Sequence, residues 1–337
     1  MRVATGLDVA LESLPWGSAP IGLLTHGAAR TGDGRPGRVA MQEAGAQVRR
    51  LFSPEHGLEA AELDGVAVGD GVDAPTGLPV VSLYGDRRRP RPEDLADLEG
   101  IVVDLQDVGA RCYTYQSTML LALRAAAQAG LPAWVLDRPN PITGRHAEGV
   151  VRQAEAASFV GLLPIPMRHG LTFRELATWA CPPGLELSVV RLRGWAREMW
   201  WDQTGLVWTP PSPAIPDPDT ALAYPGTVLL EGTTWATGRG TAAPFRVVAG
   251  PDQPISVSWE VRDTYRPVAA GIRLLERLCH ERGGPSWAGR GRTLDLLYGG
   301  PGLRETLERG DAVEPLIELA RFEGRRFEAA TRSCHLY

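Results

Sequence analysis

The chain has 337 residues, with 35 basic and 40 acidic side chains and a formal charge of −5. That length exceeds the usual size of one domain, and with a net negative charge and no long Lys/Arg block of the kind that neutralises a run of phosphates, nucleic acid is not expected as a partner. Cys112, Cys181, Cys279 and Cys334 stand far apart with no C-x-x-C pair, which argues for reduced thiols and against a structural zinc site.

The first twenty residues lack the apolar core of a secretory signal, and no later apolar run reaches membrane-spanning length. A soluble cytoplasmic protein without a membrane partner is the expectation. Short apolar runs at residues 21–24, 48–52, 80–83, 101–105 and 133–136 predict strands. Between them, 38–44, 92–98 and 118–129 have helix-forming composition, the last opening after Ser117 and ending at Gly130. This alternation predicts an α/β fold in which a Rossmann-like parallel-sheet domain spans residues 1–148.

From 149 to 337 the rhythm is less regular, and a second, smaller α+β domain is expected. Proline-rich (208–216) and glycine-rich (231–241) stretches read as constrained loops, followed by helices at 267–280, 302–309 and 312–327 and a closing strand at 332–337.

Polar clusters follow most of the predicted strands: Thr25-His26, Ser53 to Gly57, Asp104 to Arg111, and Asp137-Arg138-Pro139-Asn140. Parallel strands bring such clusters to one edge of the sheet, where α/β proteins bind ligands. The densest runs from Asp104 to Tyr115, with Gln106, Asp107, Arg111 and Tyr113 between them.

Within Ser53-Pro54-Glu55-His56-Gly57-Leu58, Pro54 and Gly57 impose an unusual backbone path on an adjacent carboxylate and imidazole. Glu55 is therefore the general-acid candidate, because a partly desolvated carboxyl can donate a proton near neutral pH. A helix cap beside a surface histidine is the plainer alternative. Asp104 and Asp107 are candidates for the second carboxylate of a glycoside hydrolase; equally, Asp107 could cap the next helix and Asp104 could need Arg111 as a partner. Arg111, Arg138, Arg168 and Arg239 lie in loops rich in Gly, Pro or aromatic residues, and each could pair with a substrate carboxylate or simply lock its own loop. Trp195, Trp200, Trp201 and Trp208 read as core, whereas Trp235 in the glycine-rich loop reads as a ligand contact.

Gly32 to Gly37 matches G-x-G-x-x-G, but it starts about seven residues after the first strand and contains Pro36, so it reads as a loop and not a dinucleotide site. Phosphate-loop, nucleophile-elbow and zinc-protease motifs are missing, and no cofactor or catalytic metal is expected.

Taken in order, Ile21-Gly-Leu-Leu-Thr, Phe52-Ser-Pro-Glu-His-Gly-Leu58, Thr76-Gly-Leu-Pro-Val, Ser82-Leu-Tyr-Gly, Asp104 to Tyr115, Leu136 to Ile142, Arg168-His-Gly170, Pro211-Ser-Pro213, Tyr224-Pro-Gly226 and Glu231 to Thr241 with Pro244-Phe245 resemble the NamZ-type exo-β-N-acetylmuramidases, a family long known only as a domain of unknown function. The resemblance implies exo-hydrolysis of N-acetylmuramic acid from the non-reducing end of peptidoglycan fragments, with Glu55 catalytic in an active-site cleft that the second domain completes with the first. The lack of a secretory signal adds the expectation that imported muropeptide sugars are recycled in the cytoplasm. Asp104 and Asp107 are expected to assist Glu55, unless the substrate's own acetamido group does so. The remaining residues expected to bind this muramic-acid-containing saccharide are His56, Gln106, Arg111, Tyr113, Tyr115, Asp137, Arg138, Asn140, Arg168, His169, Glu231, Trp235 and Arg239. The competing reading is a non-catalytic protein that binds a muropeptide or another acidic sugar in the same cleft.

Overall fold

The computed structural model describes residues 2–63, 65–249 and 254–337. One sheet organises the first two thirds of the chain. Its strands are β1 (Ile21–Thr25), β2 (Val48–Ser53), β3 (Gly71–Val72), β4 (Pro79–Ser82), β5 (Gly100–Asp104), β6 (Ala133–Leu136) and β7 (Leu187–Val190), in the order β3-β4-β2-β1-β5-β6-β7. Only β3 runs antiparallel to its neighbour. The six parallel strands thus follow the doubly wound α/β order, with its reversal between β1 and β5. Every residue of β1 and β5 is buried, as expected of central strands covered on both faces by helices.

The sheet takes its last strand, β7, from beyond residue 148. Helices dominate thereafter: Pro218–Thr227, Pro267–Glu281, Arg292–Tyr298, Gly302–Arg309 and Glu314–Thr331, beside the hairpin β8 (Val247–Val248) and β9 (Ile255–Ser256). The first two of these helices meet backbone to backbone. A Cβ on Gly271 would lie 2.3 Å from the Gly226 carbonyl oxygen, so the crossing requires glycine at that point. One apolar core joins the two regions, running from Leu24 and Phe52 through Tyr113 and Tyr115 to Ile272 and Leu275.

Two expected elements differ. The helix expected from 118 begins three residues earlier, as Tyr115–Ala129, and ends at Gly130 in the left-handed conformation. The expected closing strand at 332–337 does not form; Arg332–Cys334 is a 3₁₀ turn. The tail folds inward because the Tyr337 hydroxyl donates to Asp137 Oδ2 at 2.7 Å and accepts from the Leu192 amide at 2.8 Å.

Strand register sets the layout of the ligand-binding edge. Ser53 pairs with Ser82, and Thr25 pairs with Asp104. Glu55 and Tyr84, each two residues past its strand, therefore leave neighbouring strands together. Asp104 lies on the opposite flank of β1 from β2.

Candidate active site

Beyond β2 the chain turns sharply, with His56 at φ +71° and Gly57 at +76°. A left-handed backbone at a non-glycine residue costs about 1–2 kcal/mol and needs support from its surroundings. The His56 ring nitrogen Nδ1 bonds the Glu62 carbonyl at 2.8 Å, and the His56 carbonyl accepts from the Glu62 amide at 3.2 Å. This turn presents Glu55, 7% exposed, to a cavity of about 110 Å³.

Both Glu55 oxygens are held. The Thr114 hydroxyl donates to Oε2 at 2.7 Å, and the Gly65 amide donates to Oε1 at 3.1 Å. Thr114 is the N-cap of the helix Tyr115–Ala129, but its side chain caps nothing and is spent on Glu55. From Tyr115 the hydroxyl donates to the Glu55 carbonyl at 3.3 Å and to the Pro211 carbonyl at 2.7 Å, tying the catalytic-acid candidate to the proline-rich loop. On the neighbouring strand end, the Tyr84 phenol is pushed up to about 12, first by burial and then by the adjacent Glu55 carboxylate.

Five of the expected site residues line this cavity together: Glu55, His56, Tyr113, Glu231 and Arg239. Arg239 pairs with Glu231 and lies 4.7 Å from the Phe245 ring centroid. His56 stacks on Tyr113, with ring centroids 6.4 Å apart. Sequence reasoning did not single out Cys112, Thr114, Ser212, Tyr224 and Phe245, which complete much of the wall. The signal for Ser212, Tyr224 and Phe245 was their place in Pro-Ser-Pro, Tyr-Pro-Gly and Pro-Phe segments. Burial pushes the Tyr113 and Tyr224 phenols well above their ordinary value, keeping them neutral and able to offer O–H groups to sugar hydroxyls.

The other expected residues lie outside the cavity wall. Asp104 accepts two hydrogen bonds from Arg138, at 2.6 and 2.9 Å, both side chains being buried; its partner is thus Arg138 and not Arg111. Asp107 does not cap the helix. Its Oδ2 accepts from the Gly109 amide at 2.7 Å and meets His169 Nε2 at 3.0 Å. His169 Nδ1 accepts from the Leu171 amide, which leaves Nε2 as the donor to Asp107. Gln106 donates to the Asp107 and Pro139 carbonyls, and with Arg138 it borders a separate crevice at the β1/β5 reversal.

Arg111 is fully buried and gives its guanidinium to the carbonyls of Val150, Ile165, Leu297 and Tyr298. Burial lowers its pKa to about 10, and the same holds for Arg168, which donates to the Ile142 carbonyl. Asn140 closes a turn, accepting from the Ile142 amide and donating to the Leu171 carbonyl. Asp137 accepts from Arg138 and Arg174 amides and from Thr172 and Tyr337 hydroxyls. Trp235 packs half-buried against the core.

Two family models match this chain: "Exo-beta-N-acetylmuramidase NamZ, N-terminal" over residues 21–219 and "Exo-beta-N-acetylmuramidase NamZ, C-terminal" over residues 222–260. The peptidoglycan beta-N-acetylmuramidase NamZ of Bacillus subtilis (strain 168) is 40% identical over 256 residues, which are 74% of this chain and 62% of that protein's length. A DUF1343 family protein from Bacteroides fragilis superimposes with a TM-score of 0.91 at 28% identity, covering 100% of this chain and 99% of its own. A second DUF1343 protein from that organism, at 24% identity and a TM-score of 0.82 with the same coverage, shows the same fold. With the N-terminal model covering more than half of its length, including the Glu55 turn, the chain belongs to the NamZ exo-β-N-acetylmuramidase family.

Proposed function

We propose that this protein is an exo-acting glycosidase that releases N-acetylmuramic acid from the non-reducing end of peptidoglycan fragments, with Glu55 as general acid/base. The observation that carries the reading is the unequal environment of two carboxylates in one cavity. Glu231 has its charge balanced by Arg239, whereas among the described residues Glu55 has no cation in ion-pair contact and is oriented only by neutral donors. Two carboxyl groups in different surroundings can divide the work of glycoside hydrolysis, one moving the proton and the other supplying negative charge to the oxocarbenium-like state.

In this scheme Glu55 protonates the leaving glycosidic oxygen, then accepts a proton from the attacking water. Glu231 takes the supporting part first expected of Asp104 or Asp107, which are consumed by Arg138 and by His169 and Gly109. A cavity of about 110 Å³ favours exo-action. It falls below the roughly 300–1,000 Å³ of sites that enclose larger ligands, so it suits one terminal unit better than a run of chain.

The test is release of the chromophore from a chromogenic N-acetylmuraminide. Glu55→Gln should lower kcat by roughly 10²–10⁴ while the protein keeps its melting temperature. Turnover equal to that of the parent would remove Glu55 from the mechanism. Tight binding of the sugar by the parent without any product would instead favour a binding protein.

A further inference from the structure

A muramic sugar differs from other N-acetylhexosamines by a lactyl ether that ends in a carboxylate. A site selective for it needs a cation with unspent donors, and most of the arginines near the sheet edge are already committed. Arg111 donates to four carbonyls, Arg168 is fully buried away from the cavity wall, Arg138 is bound to Asp104, and Arg239 is paired with Glu231. Arg87 is paired with Asp70 and Asp94.

Arg88 is held differently. Its guanidinium carbon lies 4.3 Å from the Tyr84 ring centroid and 4.1 Å from that of Phe159, in the corner formed by two tilted rings whose centroids are 6.0 Å apart. It is half-buried, and among the described residues it has no carboxylate in ion-pair contact. One of its N–H groups donates to the Tyr84 hydroxyl, a neutral acceptor; the aromatic contacts fix the plane of the guanidinium, and its remaining N–H groups suit capture of a carboxylate.

Both rings are tied to the surroundings of the Glu55 cavity, although neither lines it. Tyr84 leaves β4 beside Glu55 because Ser82 and Ser53 are paired, and its phenol feels the Glu55 charge. Phe159 immediately precedes Val160, which lines the cavity. We infer that Arg88, packed against Tyr84 and Phe159 beside the Glu55 cavity, binds the lactyl carboxylate of the substrate and sets the preference for muramic over neutral hexosamine glycosides. This inference rests on the glycosidase reading above and names the residue that would select its substrate class.

Three chromogenic glycosides separate the possibilities: the N-acetylmuraminide, the same sugar with its lactyl acid converted to the neutral amide, and the N-acetylglucosaminide. Arg88→Gln should lower kcat/KM on the acid on the order of tenfold to a hundredfold, mainly through KM, and leave the two neutral substrates unchanged. Arg88→Lys should recover part of the loss, since it restores the charge without the fork. An equal loss on acid and amide would show that Arg88 only stiffens the rim, and no loss on the acid would show that it does not meet the carboxylate; either result overturns the inference. If the parent turns over none of the three, the glycosidase reading fails by itself. Calorimetry with free N-acetylmuramic acid then still decides about Arg88: weaker binding by Arg88→Gln, with unchanged binding of the neutral amide, supports it, and equal affinities refute it.

Discussion

Two strand ends on the same edge of the sheet carry similar chemistry and use it in opposite ways. After β5, the residues from Asp104 to Arg111 supply carboxylates, an amide and a guanidinium, and nearly all of these groups bond other parts of the protein. After β2, one short turn presents Glu55 to a cavity, with neutral donors holding its carboxylate: a threonine hydroxyl, a backbone amide and the Tyr84 phenol. Density of polar side chains is thus a poor guide to which groups face open space at a buried edge. Each such group must be satisfied, and a crowded segment satisfies its groups internally. The informative group is the one whose partners are neutral and whose surroundings include open space.

That contrast can be broken at Asp104. Removing one member of a buried ion pair leaves the other charge uncompensated, which typically costs about 3–5 kcal/mol. Asp104→Ala should therefore lower the unfolding free energy by about that amount, as urea titration would register, because Arg138 is 3% exposed and cannot turn to water without moving. If the variant keeps its stability and loses turnover instead, Asp104 belongs with Glu55 and the contrast collapses.

Asp137 sharpens the contrast from the structural side, being a buried carboxyl surrounded by hydrogen-bond donors without an ion pair. Burial is the main reason its pKa is raised from 3.8 to about 7. Between those values the folded protein holds a proton that the unfolded chain has released. Its stabilising contribution is therefore complete below about pH 4 and is lost as pH rises through about 7, by at most about 1.4 kcal/mol per pH unit. Asp137→Asn should flatten the decline of stability over that window. An unchanged slope by denaturant titration at several pH values would mean that another group carries it.

Central elements were legible because burial on both faces leaves continuous apolar runs, which is why β1, β2, β5 and β6 fall where Ile21, Val48, Ile101 and Ala133 begin such runs. The edge strands β3 and β7 left weaker marks. Two residues, Gly71 and Val72, carry no periodicity, and Leu187–Val190 is only half-buried. The sharp turn at Glu55 was legible through Pro54 and Gly57, which signal a forced backbone path. Which arginine keeps its donors was not legible, because Arg88 and Arg111 differ only in what the fold packs around them: two aromatic rings in one case and four carbonyl oxygens in the other.

The smallest effect expected belongs to Thr114, where the two strand ends meet. It lies at the end of the β5 segment, yet its hydroxyl serves Glu55 at 2.7 Å and not the helix it precedes. Thr114→Val keeps the shape of the side chain and deletes one donor, leaving the Gly65 amide and the Tyr84 phenol on the Glu55 side chain. A hydrogen bond to a charged group is typically worth about 1.5–3 kcal/mol, but the neighbouring cavity gives water access to replace part of it. The expectation is a fall in kcat on the order of tenfold with KM and melting temperature nearly unchanged. A fall in stability without a fall in kcat would mean that Thr114 works for the helix, as the other polar residues of its segment work for the fold, and the division between the two strand ends would then run one residue closer to Glu55.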